Sequence, residues 1–98
     1  MTVSAISHYR GGTIDEVAPL ARSLKAIYRK YGVEYRLSRF QSGPNAGDWL
    51  VMVTYADAAS LETAEAAFPH DQDLQQIFLG IARFANRISR ETVIDLDL

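Results

Sequence analysis

Hydrophobic positions along the chain switch between two periods. Residues 3–10, VSAISHYR, read as a strand and stop at the breaker pair Gly11-Gly12. Thr13 then has the character of a helix N-cap, with Glu16 three residues on to complete a capping box and Asp15 favourable in the first turn. Val17, Leu20, Ala21, Leu24, Ile27, Tyr28 and Tyr31 follow at helical spacing. They predict one apolar stripe on a helix of about five turns, stopped by Gly32. Pro19 falls within the first two turns, where a missing N–H costs least.

Residues 33–41, VEYRLSRFQ, alternate as a strand should, and the stretch from Ser42 to Asp48 reads as a turn or hairpin loop. Residues 49–55, WLVMVTY, are nearly continuously apolar, the pattern of a central strand buried on both faces. Asp57 can cap a second helix through Glu62, Ala64 and Phe68. Pro69 interrupts it, and Asp71 can cap a continuation in which Leu74, Ile77, Phe78, Ile81 and Ala85 share a face. Residues 88–96 predict a last strand, with an alternating tail from Ile94 to Leu98. The order βαββαβ, with right-handed crossovers, predicts a single α+β domain over residues 1–98. Its form is a ferredoxin-like four-stranded antiparallel sheet with both helices on one face.

Such a sheet has an uncovered face. Alternation on the third strand puts Leu50, Met52 and Thr54 on one side and Trp49, Val51, Val53 and Tyr55 on the other. Either choice leaves an apolar row open, and the simplest cover is a second copy packed sheet to sheet. The expected partner is therefore the chain itself, as a homodimer through the open face. The competing expectation is an open face hydrophobic enough only to be tolerated in water.

Composition narrows the functions. With 98 residues, 48% of them hydrophobic and 22% charged, the chain is an ordinary globular one that can bury a single core. Ten Lys+Arg against twelve Asp+Glu give a net charge of -2, which argues against a dedicated nucleic-acid binder. There is no cysteine, so disulfides, thiolate nucleophiles, zinc-thiolate and iron–sulfur sites are excluded. No apolar run is long enough to span a membrane and the N-terminus lacks the pattern of a secretory signal, so the expectation is a cytoplasmic protein without a membrane partner.

Four local features resemble a known superfamily. The first strand runs into Arg10-Gly11-Gly12, Gly32 precedes the second strand, and WLVMVTYADAASLETAEAAF looks like a third strand closed by an aromatic and leading into a helix. Pro69-His70-Asp71-Gln72 looks like a proline–histidine break before the last helical turns. Together they resemble the dimeric α/β-barrel superfamily, in particular its antibiotic-biosynthesis-monooxygenase-like and NIPSNAP-like small domains, over nearly the whole chain. The resemblance implies a cavity into which Tyr55, Val53, Val51 and Trp49 point. It pairs them with Ser4, Ile6, His8 and Arg10 on the first strand and Glu34, Arg36, Ser38 and Phe40 on the second. Cofactor-independent oxygenases of that superfamily resemble one another in an Asn or His on the first strand and a Trp closing the third. The corresponding positions here are Ser4 or His8, and Tyr55. Haem-degrading members need an axial histidine on the second helix, and Leu74 to Ala85 contains none.

These implications converge on a ligand cavity of Ile6, His8, Trp49, Val51, Tyr55 and Arg36, for a small aromatic or polyketide-like compound and with no cofactor. In the catalytic version His8 is the base and Tyr55 or Arg10 steadies a developing oxyanion, giving a cofactor-free oxygenase, isomerase or cyclase. In the other version the dimer is structural or protein-binding, has no ligand, and His8 is an inert interface residue.

The remaining candidates are weaker. His70 reads as a surface or capping residue. His70, Asp71 and Asp73 do not converge as metal ligands at a helix start, so no metal is expected. No phosphate loop, dinucleotide fingerprint or nucleophile elbow occurs. Glu62/Glu65 and Asp71/Asp73 read as solvated helix faces. Arg36, Arg39, Arg83, Arg87 and Arg90 can either bind a carboxylate or phosphate or pair with Glu34, Asp95 and Asp97 within a dimer.

Overall fold

A computed structural model describes residues 1–98. The elements run β1 (Val3–Arg10), α1 (Ile14–Lys30), β2 (Glu34–Arg39), β3 (Trp49–Tyr55), α2 (Ala58–Ala67), a 3₁₀ turn (Phe68–His70), α3 (Gln72–Ile81) and β4 (Asn86–Ile94). The strands form one antiparallel sheet in the order β2-β3-β1-β4. This is the ferredoxin-like arrangement that the element order predicts, with the helices on one face.

Local chemistry accounts for the helix ends. Thr13 accepts from the Glu16 N–H while the Glu16 carboxylate accepts from the Thr13 N–H, closing the capping box. Pro69 has no N–H to continue α2, so the chain tightens into the 3₁₀ turn and restarts where Asp71 accepts from the Leu74 N–H. The Tyr31 hydroxyl donates to the same Asp71 carboxylate at 2.7 Å and ties the end of α1 to the start of α3. Gly11 and Gly12 both have positive φ, and a Cβ on Gly11 would run into the Phe84 carbonyl oxygen. The turn after β1 therefore needs glycine for both its conformation and its close approach.

The strand boundaries differ from the expectation at two places. β4 covers 86–94 rather than 88–96, because Arg10 pairs with Asn86 at one end and Val3 with Ile94 at the other. A strand extends as far as its neighbour offers partners, whatever the alternation of its own tail. β2 covers 34–39 rather than 33–41 for the same reason, since β3 begins at Trp49 opposite Arg39.

The core lies between the sheet and the helices. Ala5, Leu24, Tyr28, Val33, Tyr35, Val53, Tyr55, Ala64 and Leu74 form it, with Leu74 fully buried. The parity of β3 decides between the two rows that the sequence left open. Trp49, Val51, Val53 and Tyr55 point toward the helices, and Leu50, Met52 and Thr54 occupy the open face. Tyr55 is 2% exposed and Trp49 is 4% exposed without any second copy. The helix stripe supplies the larger apolar surface, and the heavier aromatic row of β3 packs against it. No helix is long and apolar enough to cross a membrane.

Candidate functional site

The residues picked from the sequence divide between the two faces of the sheet. Residues opposite each other on paired strands share a face. Ser7 lies opposite Val51 and Tyr9 opposite Trp49, whereas Ile6 lies opposite Met52 and His8 opposite Leu50. On β2, Arg36 lies opposite Met52. Ile6, His8 and Arg36 are therefore on the open face, with Arg10 beside His8. Trp49, Val51 and Tyr55 are on the helix face. The structure does not bring the six cavity residues together, and His8 and Arg10 lie across the sheet from Tyr55. A one-residue difference in parity along β3 exchanges its entire row between faces, which is how the grouping came apart.

On the open face His8 and Arg10 do meet, around a residue that the motifs did not single out. Asp48, at the end of the β2–β3 loop, accepts from the Arg10 guanidinium at 3.0–3.2 Å and lies 2.7 Å from His8 Nε2. The Phe40 ring packs against the His8 imidazole at 5.2 Å. Hydrogen bonds from Arg10 first, and from His8 second, hold the Asp48 carboxyl below its ordinary value. Asp48 is buried, so both partners serve to satisfy an anion that its surroundings would otherwise penalise. His70 is exposed in the 3₁₀ turn, as expected of a surface residue.

On the helix face lies a cleft of about 490 Å³ between the sheet and α1, α2 and α3. That volume falls in the usual range for small-molecule sites, and the walls are mostly apolar. Ala5, Val51 and Val53 form its floor, Leu20 and Leu24 of α1 one wall, and Phe68, Phe78 and Ile81 another. Trp49 closes one end, fixed by its indole N–H donating to the Gly11 carbonyl at 3.0 Å and by the Arg39 guanidinium 4.6 Å from its ring centre. Polar groups are few: the hydroxyls of Ser7, Tyr9, Tyr28 and Tyr35, the Gln75 amide, Glu65, Arg87 and Arg90. Burial pushes the Tyr28 phenol far up and that of Tyr35 up to about 12. Both are therefore neutral at physiological pH and able to donate to a ligand oxygen. Glu65 is the single carboxylate in the lining and forms an ion pair with Arg90; the cleft has no histidine.

Sequence reasoning missed Ser7, Tyr9, Tyr28, Tyr35 and Gln75 as cleft residues. Their signal was present in the alternation of β1 and β2 and in the stripe of α1. Of these only Tyr28 reads as core, in the α1 stripe, because a lining residue and a core residue have the same pattern. Among the arginines, Arg90 pairs with Glu65 rather than with Asp95 or Asp97, and Arg39 stacks on Trp49.

The fold and cleft define a class: ferredoxin-like α+β proteins with a small-molecule-sized cavity between sheet and helices. Comparison with known proteins sharpens this at the level of fold. No protein-family model matches the chain, and no curated protein matches it in sequence. Among solved structures it is similar to SnoaB, a cofactor-independent oxygenase from Streptomyces nogalater. The TM-score is 0.70 and the identity 10%, over 99% of this chain and 95% of that one. It is also similar to a conserved protein of unknown function from Bacteroides thetaiotaomicron, described as a possible oxidoreductase (TM-score 0.67, 17% identity, 94% of this chain and 95% of that one). A dimeric protein of ferredoxin-like fold from Bacteroides fragilis matches with a TM-score of 0.57 and 11% identity over 94% and 92% of the two chains. The resemblance to antibiotic-biosynthesis-monooxygenase-like domains thus holds for the fold.

Proposed function

We propose that this chain binds a small, largely apolar or aromatic molecule in the cleft between sheet and helices, and that it does so as a homodimer joined through the open sheet face. The observation that carries the reading is the cleft itself: apolar and aromatic walls, a ligand-sized volume and a handful of convergent donors. The dimer is supported by the half-buried row of Ile6, Leu50 and Met52 on the face no helix covers, and by the dimeric Bacteroides fragilis neighbour.

The catalytic form of this reading is cofactor-independent oxygenation, isomerisation or cyclisation of an enolisable aromatic or polyketide-like compound. It is supported by the likeness to SnoaB. In the cleft the phenols of Tyr28 and Tyr35 would donate to a developing oxyanion, and Glu65 is the group able to accept a proton. His8 is on the wrong side of the sheet for either role. A second reading, binding without turnover, is favoured by the engagement of Glu65 with Arg90.

The test is calorimetric titration of the purified chain with the neutral probe naphthalene-1-carboxamide. Expected is saturable binding at one site per chain, abolished in Ala21→Phe, which fills the cleft from α1. No saturable binding at millimolar probe, or equal binding by Ala21→Phe, removes the reading. Oxygen uptake with an electron-rich phenol then separates turnover from binding alone.

A further inference from the structure

We infer that the cleft is built for the anion of an aromatic carboxylic acid, whose carboxylate is held by the guanidinium groups of Arg87 and Arg90. The inference rests on the proposal above that the cleft is a ligand site, and it names the class of ligand.

Residues three apart on a regular strand point to opposite faces. Arg87 and Arg90 do not. In the β1–β4 ladder Arg90 lies opposite Ser7 and Ser89 opposite His8, but the next pair is Arg87 opposite Tyr9. The register shifts there by one residue, and Ile88 is left without a partner. This β-bulge turns Arg87 onto the face that already carries Arg90, and both side chains line the cleft. Without it, Arg87 would lie opposite Arg10, among the polar residues of the open face.

The charges around the two arginines do not balance. Arg90 pairs with Glu65 of α2. Arg87 makes no ion pair, the others in the molecule being His8 and Arg10 with Asp48. The cleft thus presents two guanidinium groups against one carboxylate, beside phenols that stay neutral. The lining thus carries a net positive charge of one, which one further negative charge would offset. A carboxylate supplies one and accepts the two parallel N–H donors of a guanidinium in its own plane. A phosphate dianion would bring more charge than the site lacks. Behind the arginines the walls are flat and apolar, with Tyr9, Phe78 and Phe84 near the opening and Trp49 further in. An aromatic ring suits them better than a flexible chain. β4 is covered by no helix and all its residues are exposed, so the arginine end of the cleft is also its entrance. The acid group would sit at the mouth and the ring inside.

The test compares 1-naphthoate with its neutral amide, naphthalene-1-carboxamide, by calorimetry on the full chain at pH 7. Wild type should bind the carboxylate about tenfold more tightly, as expected for a charge-assisted bidentate contact. Arg87→Gln should erase that preference by weakening the carboxylate far more than the amide. Arg90→Gln should erase the preference at least as completely, because it also frees Glu65 to repel the carboxylate and compete for Arg87. Arg83→Gln, exposed and outside the cleft, should change nothing. Should Arg87→Gln fail to fold, Arg87→Lys keeps the charge and loses the planar fork, and a partial loss of preference supports the inference. Equal binding of carboxylate and amide by wild type, or a preference unchanged in the Arg87 variants, overturns the carboxylate assignment and leaves the cleft as a ligand site. Binding of neither probe overturns the cleft reading itself.

Discussion

The two faces of one sheet, built from the same four strands, obey different rules. The helix face is aromatic and nearly dry: Trp49, Tyr35, Val53 and Tyr55 are buried under α1, α2 and α3. Its most buried polar atoms are phenols raised by burial, with Tyr55 also pushed up to about 12. The open face mixes Ile6, Leu50, Met52 and Phe40 with a charged knot in which Asp48 holds both His8 and Arg10. Burial sets the chemistry of the first face and ion pairing that of the second. A ligand that needs an apolar wall belongs to the first. A surface that meets another copy of the chain can use the second, where apolar rows and satisfied charges alternate.

Adjacent residues on β3 give the sharpest way to break this contrast. Val51→Asp places an unpaired charge among the helix-facing core and should cost several kcal/mol by rough estimate, enough to abolish cooperative folding. Met52→Asp, one residue along, faces outward. It should leave the fold intact by circular dichroism and shift the chain from dimer to monomer in sedimentation at micromolar concentration. A folded monomer in both wild type and Met52→Asp removes the dimer proposal. A folded Val51→Asp chain contradicts the assignment of faces.

Leu74→Ala should come next. Leu74 is 0% exposed, where α3 meets the core, and its truncation should destabilise the fold by roughly 2–5 kcal/mol in urea denaturation. A loss below ~0.5 kcal/mol would mean that the core does not extend to α3.

The smallest effect is electrostatic and belongs to the open face. The Asp48 carboxyl is lowered by Arg10 and His8, that of Asp71 by Tyr31 and the Leu74 N–H, and that of Asp57 by the Ser60 N–H. A carboxyl lowered in the folded state adds stability above its unfolded pKa, about 3.9, and loses it as pH falls through the folded value. Urea midpoints should therefore fall with acidification below about pH 4. Asp48→Asn should lower the midpoint at neutral pH and flatten the acid slope, with Asp71 and Asp57 retaining the remainder. An Asp48→Asn chain whose acid slope equals that of wild type would show that the knot contributes no pH-dependent stability.

All three capping signals of the helices were legible in the chain, at Thr13 with Glu16, at Asp57 and at Asp71, because a cap is satisfied by atoms three residues away. The break at Pro69 was legible for the same reason, and so was the element order that leads to the ferredoxin-like sheet. The candidate site was less so. His8 and Arg10 could be chosen as chemically capable residues, but Asp48, some 40 positions from His8, is joined to them only when β1 and β3 pair. Tyr28 of the cleft lining reads as core in the α1 stripe, since a buried wall and a cavity wall follow the same periodicity.

The sequence by itself determined the elements, the helix caps and the presence of two apolar rows on β3, all of which follow from neighbours within about four residues along the chain. Only the tertiary structure decided which row faced the helices. That choice depends on the total apolar surface meeting across the layers, a sum over segments far apart in the chain. It also decided the bulge at Ile88 that sets Arg87 beside Arg90. A bulge is a property of two strands in register, and no residue of β4 announces it alone.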